Sequence, residues 1–549
     1  MRPTEASLRA AIAAHGRRVE RFQRGELTRD EFTPIRLGYG LYYQLDHTSH
    51  MQRIKLPGGI LTAAQADCIA ELGERYGRDV IHVTTRQDVQ LHWVGLDDVI
   101  PLYEMLHAVG ITTRGACADS VRNVTGCFHA GTLPEEPFDV TPYVMAVHEF
   151  SLFHPLNLTM PRKFKIGFAS CAYDCVQARI NDIAFFPKRR GDELGFSVFA
   201  GGGLGSQPFV AIAIRDFIPA DQVLSITEAI MRVQHRSGER KNRKRARMKY
   251  LVKTLGEDRF IAEIDAELAR VEAECGEQLR REQAEIIAAY SDPAPSQRGA
   301  RFDAPADPVL QHWARTNVEA QRQEGYYGVT VQLPLGDLNP AQMRALSDLT
   351  RRVGNGTMRT SNDQNLYLRW IPGDRVVEVY RLLEKLGLAA PDALHISDVV
   401  SCPGADFCSL AVSRSMGMAA AIRSHLLASN GDVEKLGVLR IRISGCPNSC
   451  GQHHVGDIGL TGLTVKAKDG SEVPYYSLLV GGLVGEEGCV IGERLGGKFP
   501  ATRVPGVISA LAGYYRDHRL DGERFGPFVR RVGTKPLYDV AQAAVSSEQ

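Results

Sequence analysis

Two hydrophobic periods alternate in the N-terminal part of the chain. A mostly helical stretch covers residues 5–31, and strand-like runs follow at 39–45 and 52–56. Residues 62–76 place apolar side chains at the spacing of one helix face, and residues 80–93 alternate with a period of two, which is typical of a strand. The pattern therefore predicts a strand–helix–strand module behind an N-terminal helix.

The same pattern returns in the second half of the chain. Residues 56–93 align with residues 333–370 without a gap, and twelve of these 38 positions are identical. A second repeat occurs at an offset of 275, where Cys171-Ala-Tyr-Asp-Cys175 corresponds to Cys446-Pro-Asn-Ser-Cys450. The sequence therefore predicts two duplicated halves, which we expect to pack about a pseudo-twofold axis with a ligand site between them.

Composition and charge narrow the class of protein. The 549 residues are 44% hydrophobic and 23% charged, which is typical of a globular protein with a substantial core. Lys and Arg number 65 against 64 Asp and Glu, so the net charge indicates no nucleic-acid partner. We see no signal-like leader and no apolar run of about 20 residues, so we expect no membrane span. The odd count of 11 cysteines then favours a reducing cytoplasm.

Four of the cysteines form two close pairs. Cys402 and Cys408 are separated by five residues, and Cys446 and Cys450 by three. Such pairs suit an iron–sulfur cluster, because each can hold two corners of a cube. Structural zinc usually takes pairs with shorter gaps than five, and a disulfide needs an oxidising compartment, so both alternatives are less favoured. Two buried pairs that bind nothing are the remaining alternative.

The second pair lies in Gly445-Cys446-Pro447-Asn448-Ser449-Cys450-Gly451. Together with the first pair it resembles the sirohaem-dependent nitrite and sulfite reductases, most closely the sulfite reductase haemoprotein (beta component, ferredoxin type). The resemblance implies that the four cysteines hold a [4Fe–4S] cluster and that Cys450 also bridges the cluster to sirohaem as the axial ligand of its iron. It further implies an α+β fold with two small ferredoxin-like αβ modules and two larger αβ halves that bind sirohaem and the cluster.

This family pattern divides the chain into four predicted parts. Residues 1–110 form the N-terminal helix and the first ferredoxin-like half-domain, and residues 111–300 form the first sirohaem-binding domain with a helical linker. Residues 301–395 form the second ferredoxin-like half-domain, and residues 396–549 the second domain, which binds sirohaem and the cluster. The best linker candidate is the break at Asp292-Pro293-Ala294-Pro295, since proline disfavours helix.

Four basic residues of the first half are candidates for holding the substrate: Arg53, Arg122, Lys163 and Lys165. Any one of them alone is more often a solvated surface charge. Lys163 and Lys165 alternate on a predicted strand, so they point to one face and repel each other unless an anion lies between them. The resemblance implies two arginines and two lysines around the substrate anion, and these positions match that pattern. It also implies that Arg86 pairs with a sirohaem carboxylate and that Asn448 lies against the macrocycle.

The choice of anion depends on Lys165. Sulfite enzymes of the family carry Arg-Lys-Phe-Lys, as here at residues 162–165, whereas plant-type nitrite enzymes usually carry Asn at the last position. A doubly charged sulfite gains more from an added cation than nitrite does. Against this, Pro447-Asn448-Ser449-Cys450 is closer to the nitrite type. We therefore predict six-electron reduction of sulfite to sulfide in sulfur assimilation, with reduction of nitrite to ammonia as the alternative.

The remaining patterns concern partners and other metals. No flavin or nicotinamide fingerprint is visible, so we expect electrons from ferredoxin or a flavoprotein reductase subunit. The basic tract at residues 240–247 leaves open a non-enzymatic iron–sulfur protein that binds nucleic acid, although no recognised nucleic-acid fold accompanies it. Cys171 and Cys175, with Cys117 and Cys127, are the candidates for a second cluster, and we expect instead that they are a relic of the duplication.

Overall fold

The computed structural model describes residues 3–290, 294–428, 436–485 and 488–546. Asp292 and Pro293 of the predicted linker lie outside these residues. Within the described ranges, no helix is long and apolar enough to cross a bilayer.

The first small module is a sheet covered by helices. Its helices are α1 (Glu5–Gln23), α2 (Arg29–Gly38), α3 (Ala63–Tyr76) and α4 (Val99–Ala108). Its strands are β1 (Leu41–Tyr43), β2 (His50–Ile54), β3 (Ile60–Thr62), β4 (Ile81–Val83) and β5 (Val89–Val94).

Two predicted elements of this module are each divided in the structure. The helix expected over residues 5–31 is two helices, because α2 starts anew at Thr28, whose side chain caps it in a capping box with Glu31. The strand expected over residues 80–93 is a hairpin of β4 and β5. Gln87 turns the chain there with a left-handed φ of 59° and donates its N–H to the Thr84 carbonyl over 3.0 Å.

The first large half is a five-stranded sheet backed by helices. The strands are β6 (Val121–Gly126), β7 (Phe164–Phe168), β8 (Ile183–Arg190), β9 (Glu193–Ala200) and β10 (Ile212–Pro219). The helices are α5 (Thr141–Leu152), α6 (Val223–Ser237), α7 (Met248–Leu255) and α8 (Glu257–Ala289). Strands β6, β7 and β8 are parallel and the other neighbours antiparallel, so the C-terminal ends of β6 and β7 meet at one edge.

The second small module repeats the first. It contains α9 (Pro308–Asn317), β11 (Val318–Ala320), β12 (Tyr326–Val331), β13 (Asp337–Leu338), α10 (Pro340–Val353), β14 (Thr357–Thr360), β15 (Leu366–Pro372) and α11 (Val376–Lys385).

The second large half repeats the parallel strands of the first. Its strands are β16 (Val400–Ser401), β17 (Ile441–Ser444), β18 (Ile458–Lys466), β19 (Glu472–Val480), β20 (Leu483–Gly485), β21 (Gly488–Val490), β22 (Glu493–Arg494) and β23 (Phe499–Pro500). Its helices are α12 (Ser415–Ala428), α13 (Val504–His518), α14 (Phe525–Val532) and α15 (Thr534–Ser546).

The two small modules exchange strands. β3 of the first pairs with β14 of the second, and β13 of the second pairs with β4 of the first. A single hydrophobic core then runs through both modules, from Tyr39 to Ile111 and from Leu310 to Leu388. The small modules are therefore one structural unit, although their strands come from opposite halves of the chain.

The register of the large halves confirms the predicted duplication. Gly126 pairs with Phe168 in the first half, and Ser401 pairs with Ile443 in the second, so both partners are shifted by 275. The Cys127 N–H donates to the Phe168 carbonyl over 2.9 Å, and the Cys402 N–H donates to the Ile443 carbonyl over 3.1 Å. The α+β fold with internal pseudo-twofold symmetry follows from these equivalences.

Candidate active site

The cysteine loop, residues 445–452, begins directly after β17. The Gly445 N–H donates to Cys402 Sγ over 3.3 Å, which joins the loop to the end of β16. Gly451 has no room for a side chain, because a Cβ there would contact the Ile443 carbonyl oxygen. The loop is therefore packed tightly over the end of β17, with the exposed Cys450 at its outer side.

The four predicted cluster ligands influence one another electrostatically. Burial, followed by the charge of Cys450, raises the pKa of the Cys402 thiol to about 12. Burial is also the largest cause of the raised pKa values of Cys408 and Cys446, and the charge of Cys450 again contributes. Thiolates gathered in this way repel one another unless a cation neutralises them, so the group suits a metal cluster.

The first half of the chain holds this loop in place. Thr85 Oγ1 donates to the Cys450 carbonyl over 2.7 Å, and Gln452 Nε2 donates to the Thr85 carbonyl over 3.1 Å. Gln452 Oε1 accepts in turn from Arg442 Nη1 over 2.9 Å, and Arg442 forms a buried ion pair with Asp363. The position of Cys450 thus depends on contacts between the two halves.

Replacing Asp363 with alanine is expected to destabilise the protein, because the buried Arg442 guanidinium loses its carboxylate partner. Removing one member of a buried ion pair costs about 3–5 kcal/mol. The measurement is the midpoint of thermal unfolding, followed by circular dichroism. Asp348→Ala is the matched control, since Asp348 pairs with Arg351 on the surface; equal shifts in the two variants would contradict the expectation.

Three of the four predicted substrate cations lie within the electrostatic reach of Cys450. Burial acts to lower the pKa of Arg53, but nearby negative charges, among them Cys117, Asp88 and Cys450, raise it overall. Arg53 Nη1 donates to Cys117 Sγ over 3.2 Å, and its Nε lies 3.9 Å from Asp88 Oδ2. The Arg53 guanidinium is therefore held between the Cys117 thiol and the Asp88 carboxylate.

The two predicted substrate lysines lie at the start of β7. Lys163 directly precedes the strand, and Lys165 is its second residue. Burial, partly offset by the charge of Cys450, lowers the pKa of Lys163 to about 8. Burial and the charges of Arg86 and Lys163 lower the pKa of Lys165 well below its ordinary value, and Cys450 opposes them. Among the described residues no carboxylate pairs with either amine, whereas Arg162 beside them pairs with Asp119 over 3.0 Å. The two lysines are therefore neighbouring basic side chains whose charged forms an anion between them would favour.

The remaining predicted cations bond to neutral groups. Arg122 donates through Nη2 to the Ala118 carbonyl over 2.7 Å. Arg86 donates to Asn181 Oδ1 over 2.9 Å and to the Asn123 carbonyl over 2.7 Å, while its buried Nε has no partner. Burial lowers the pKa of Arg86 to about 9. Asn448 is exposed, as is Cys450 two residues later.

Several charged residues near the predicted substrate cations were missed at the sequence level. Burial raises the pKa of Asp88 to about 6 and lowers that of Lys55 to about 8, and each charge opposes the shift of the other. Arg247 pairs with Asp182 over 2.8 Å inside the first large half. The basic tract at 240–247 was a signal for Arg247, but only the structure shows that this end turns inward while residues 241–245 stay exposed.

A family model described as the nitrite and sulphite reductase 4Fe-4S domain matches residues 117–271 and again residues 394–548. The chain belongs to this family of reductases. A second model, the nitrite/sulfite reductase ferredoxin-like half domain, matches residues 43–109 and 319–386. The predicted family is thereby confirmed, and the double match of each model agrees with the internal duplication.

Relatives of this reductase include enzymes named for either anion. The chain is 30% identical to the assimilatory ferredoxin-dependent nitrite reductase of Haloferax mediterranei, over 88% of this chain and 82% of that protein. It is 32% identical to a ferredoxin–nitrite reductase of Leptolyngbya laminosa, over 79% and 81%. It is 26% identical to sulfite reductase [ferredoxin] 1 of Mycolicibacterium paratuberculosis, over 89% and 83%. The solved structure of the Mycobacterium tuberculosis NirA protein shares the fold, with a TM-score of 0.78, 24% identity and coverage of 94% and 95%.

Reductases of this family bind sirohaem and a [4Fe–4S] cluster, and the residues of this chain fit both groups. The buried Nε of Arg86, which has no partner, matches a cofactor that brings carboxylates. The thiols of the cysteine group, whose thiolates would repel one another, match cationic iron. This reductase is therefore a redox enzyme that uses sirohaem and a [4Fe–4S] cluster.

Proposed function

We propose that the enzyme reduces sulfite to sulfide in six one-electron steps as part of sulfur assimilation. The observation that carries this proposal is the pair Lys163 and Lys165, which lack carboxylate partners among the described residues and interact with the charge of Cys450. An anion between the two amines favours their charged forms, and a doubly charged oxyanion does so more strongly than a singly charged one.

When bound, sirohaem and the [4Fe–4S] cluster supply the electrons and the iron atom that takes the anion. In this proposal Cys402, Cys408, Cys446 and Cys450 would hold the cluster, and Cys450 would also take part in holding the haem. Arg86 and Asn448 would orient the macrocycle from opposite halves of the chain.

The cations bind the oxygen atoms of the anion. Arg53 and Arg122 present several N–H donors each, and their positions are fixed by Cys117 and the Ala118 carbonyl. Lys163, with a pKa of about 8, is suited to donate a proton to a departing oxygen near neutral pH. In a dry pocket these charges also weaken the bonds between the central atom and its oxygens, because negative charge grows on the oxygens as they leave.

A second candidate, reduction of nitrite to ammonia on the same cofactors, is favoured by the relatives named for nitrite, which include those of Haloferax mediterranei and Leptolyngbya laminosa. For either anion we propose ferredoxin or a flavoprotein reductase subunit as the electron donor. No disulfide joins any of the eleven cysteines, all of which lie within the described residues, and this suits a reducing cytoplasm as the location of the enzyme.

The test is steady-state turnover of the purified holoenzyme with an artificial reductant, measured separately on sulfite and on nitrite. We expect kcat/KM for sulfite to exceed kcat/KM for nitrite, with sulfide as the product. A higher kcat/KM on nitrite, with ammonia as the product, would replace the sulfite proposal by the second candidate.

A further inference from the structure

Cys127, His129 and Cys175 form a compact group in the first large half, away from the cysteine loop. Their ligand atoms all lie within 4.8 Å of one another, and within the described part of the chain this is the one group of three or more Cys, His, Asp or Glu with that spacing. Cys127 Sγ lies 3.1 Å from Cys175 Sγ. Both thiols are buried, and His129 is half-buried beside them.

His129 is oriented by the other half of the chain. Its Nε2 lies 2.9 Å from Glu319 Oε1, on β11 of the second small module. Glu319 also accepts a hydrogen bond from the Tyr367 hydroxyl over 2.7 Å, which fixes the carboxylate. A histidine that binds a metal commonly donates its other ring N–H to a carboxylate, because this sets the tautomer and the direction of the ring. The Glu319–His129 pair has this arrangement.

The internal repeat relates this group to the cysteine loop. Cys127, Cys171 and Cys175 lie 275 residues before Cys402, Cys446 and Cys450. The fourth position, Cys408, corresponds to Leu133, so the first half lacks one ligand of the predicted cluster. The matched strand register described above places Cys127 and Cys402 at equivalent points of the two folds. The first half therefore retains three of the four thiols in the same setting.

The spacing of the sulfur atoms distinguishes a single ion from a cluster. Two thiolates on one tetrahedral zinc ion, each about 2.3 Å from it, lie about 3.8 Å apart. The observed 3.1 Å is close to this value and needs an opening of less than an ångström. The sulfur atoms of the four cysteines in the second half do not all lie within 4.8 Å of one another, whereas the ligand atoms of Cys127, His129 and Cys175 do. The first-half group therefore has the dimensions of a single-ion site.

We propose that Cys127, His129 and Cys175 bind one zinc ion, with Glu319 as the positioning residue of His129. Two sulfurs and one imidazole nitrogen are ligands that zinc prefers, and the fourth position is open to Cys171 of the same loop or to water. Because His129 and Glu319 come from different halves, the ion would fasten the first large half to the second small module. This departs from the expectation that these cysteines bind nothing.

The first experiment uses the wild-type holoenzyme, purified without added metal. Elemental analysis is expected to find about one zinc per chain besides the iron, and X-ray absorption at the zinc edge is expected to show two sulfurs at about 2.3 Å and nitrogen at about 2.0–2.1 Å. Absence of zinc, or a shell of oxygen and nitrogen only, would overturn the proposal. So would a disulfide between Cys127 and Cys175 in the peptide mass map. None of these outcomes depends on which anion is reduced.

The second experiment uses variants. Cys127→Ser and Cys175→Ser are expected to lose the zinc while iron content and the haem absorption bands stay at the wild-type level, and Cys68→Ser, a remote buried cysteine, is expected to keep all three. Glu319→Gln is expected to weaken zinc affinity about tenfold or more in competition with a chelator. Its control is Glu324→Gln, an exposed residue paired with Arg298. Unchanged zinc content in both cysteine variants would refute the ligand assignment, and if these variants do not fold, the wild-type absorption spectrum decides alone.

Discussion

Replacing Cys450 with serine is expected to remove both the haem absorption bands and the reductase activity. Cys450 is the exposed member of the cysteine group, and its charge acts on the other three thiols and on Arg53, Lys163 and Lys165. A residue proposed to hold both cofactors has a larger effect than a neighbour that only supports a ligand, for which the loss is about 10- to 100-fold. We therefore expect activity to fall at least about a hundredfold.

The measurement combines iron content, the visible spectrum and turnover with an artificial reductant on both anions. Cys275→Ser is the control, since Cys275 lies on α8 and is not one of the predicted ligands, so that variant should match the wild type. If Cys450→Ser retained the haem bands and full activity on either anion, the assignment of the cluster and of its bridge to the haem would be wrong.

Replacing Lys165 with asparagine is expected to change the preference of the enzyme between anions. Lys165 is half-buried, and burial and the like charges of Arg86 and Lys163 lower the pKa of its amine, so an anion with two charges favours the ammonium form more than one with a single charge. Losing a hydrogen bond to a charged group costs about 1.5–3 kcal/mol. We therefore expect kcat/KM for sulfite to fall about ten- to a hundredfold, with a much smaller loss for nitrite.

The ratio of the two kcat/KM values is the quantity to measure, because it is insensitive to the fraction of enzyme loaded with cofactor. Lys188→Asn provides the control, since Lys188 pairs with Asp216 on an exposed part of β8. Equal losses on sulfite and nitrite in Lys165→Asn would show that this lysine does not distinguish the anions.

Local patterns predicted the architecture well, whereas the role of the cysteine group as cluster ligands stays a prediction. The duplication was visible because the two small modules share twelve residues at a constant offset, many of them at turns and helix faces that the fold requires. The two cysteine pairs were also visible, since the spacing of cysteines along the chain can be read directly from the sequence. The prediction of a single strand over residues 80–93 was wrong, because a left-handed Gln87 cannot be seen in an alternating pattern.

What the sequence did not predict depends on contacts between distant residues. The exchanged strands β3 and β13 have three and two residues, which is too short for a hydrophobic period. Asp88 and Lys55 are charged side chains, and their burial, which shifts their pKa values, is not visible in the sequence. The place of His129 in the compact group of the first large half was not visible in the sequence, because Cys175 and Glu319, which lie beside it, are 46 and 190 residues away along the chain. Such contacts follow from tertiary structure alone.

The strand exchange between the small modules bears on the origin of the protein. If the chain were cut between its halves, each half would have a sheet edge that only the other half can complete, since β3 needs β14 and β13 needs β4. Two copies of a half-length ancestor could pair these edge strands by forming a symmetric homodimer. Gene fusion of such a dimer would preserve every pairing and free the two copies to diverge in sequence.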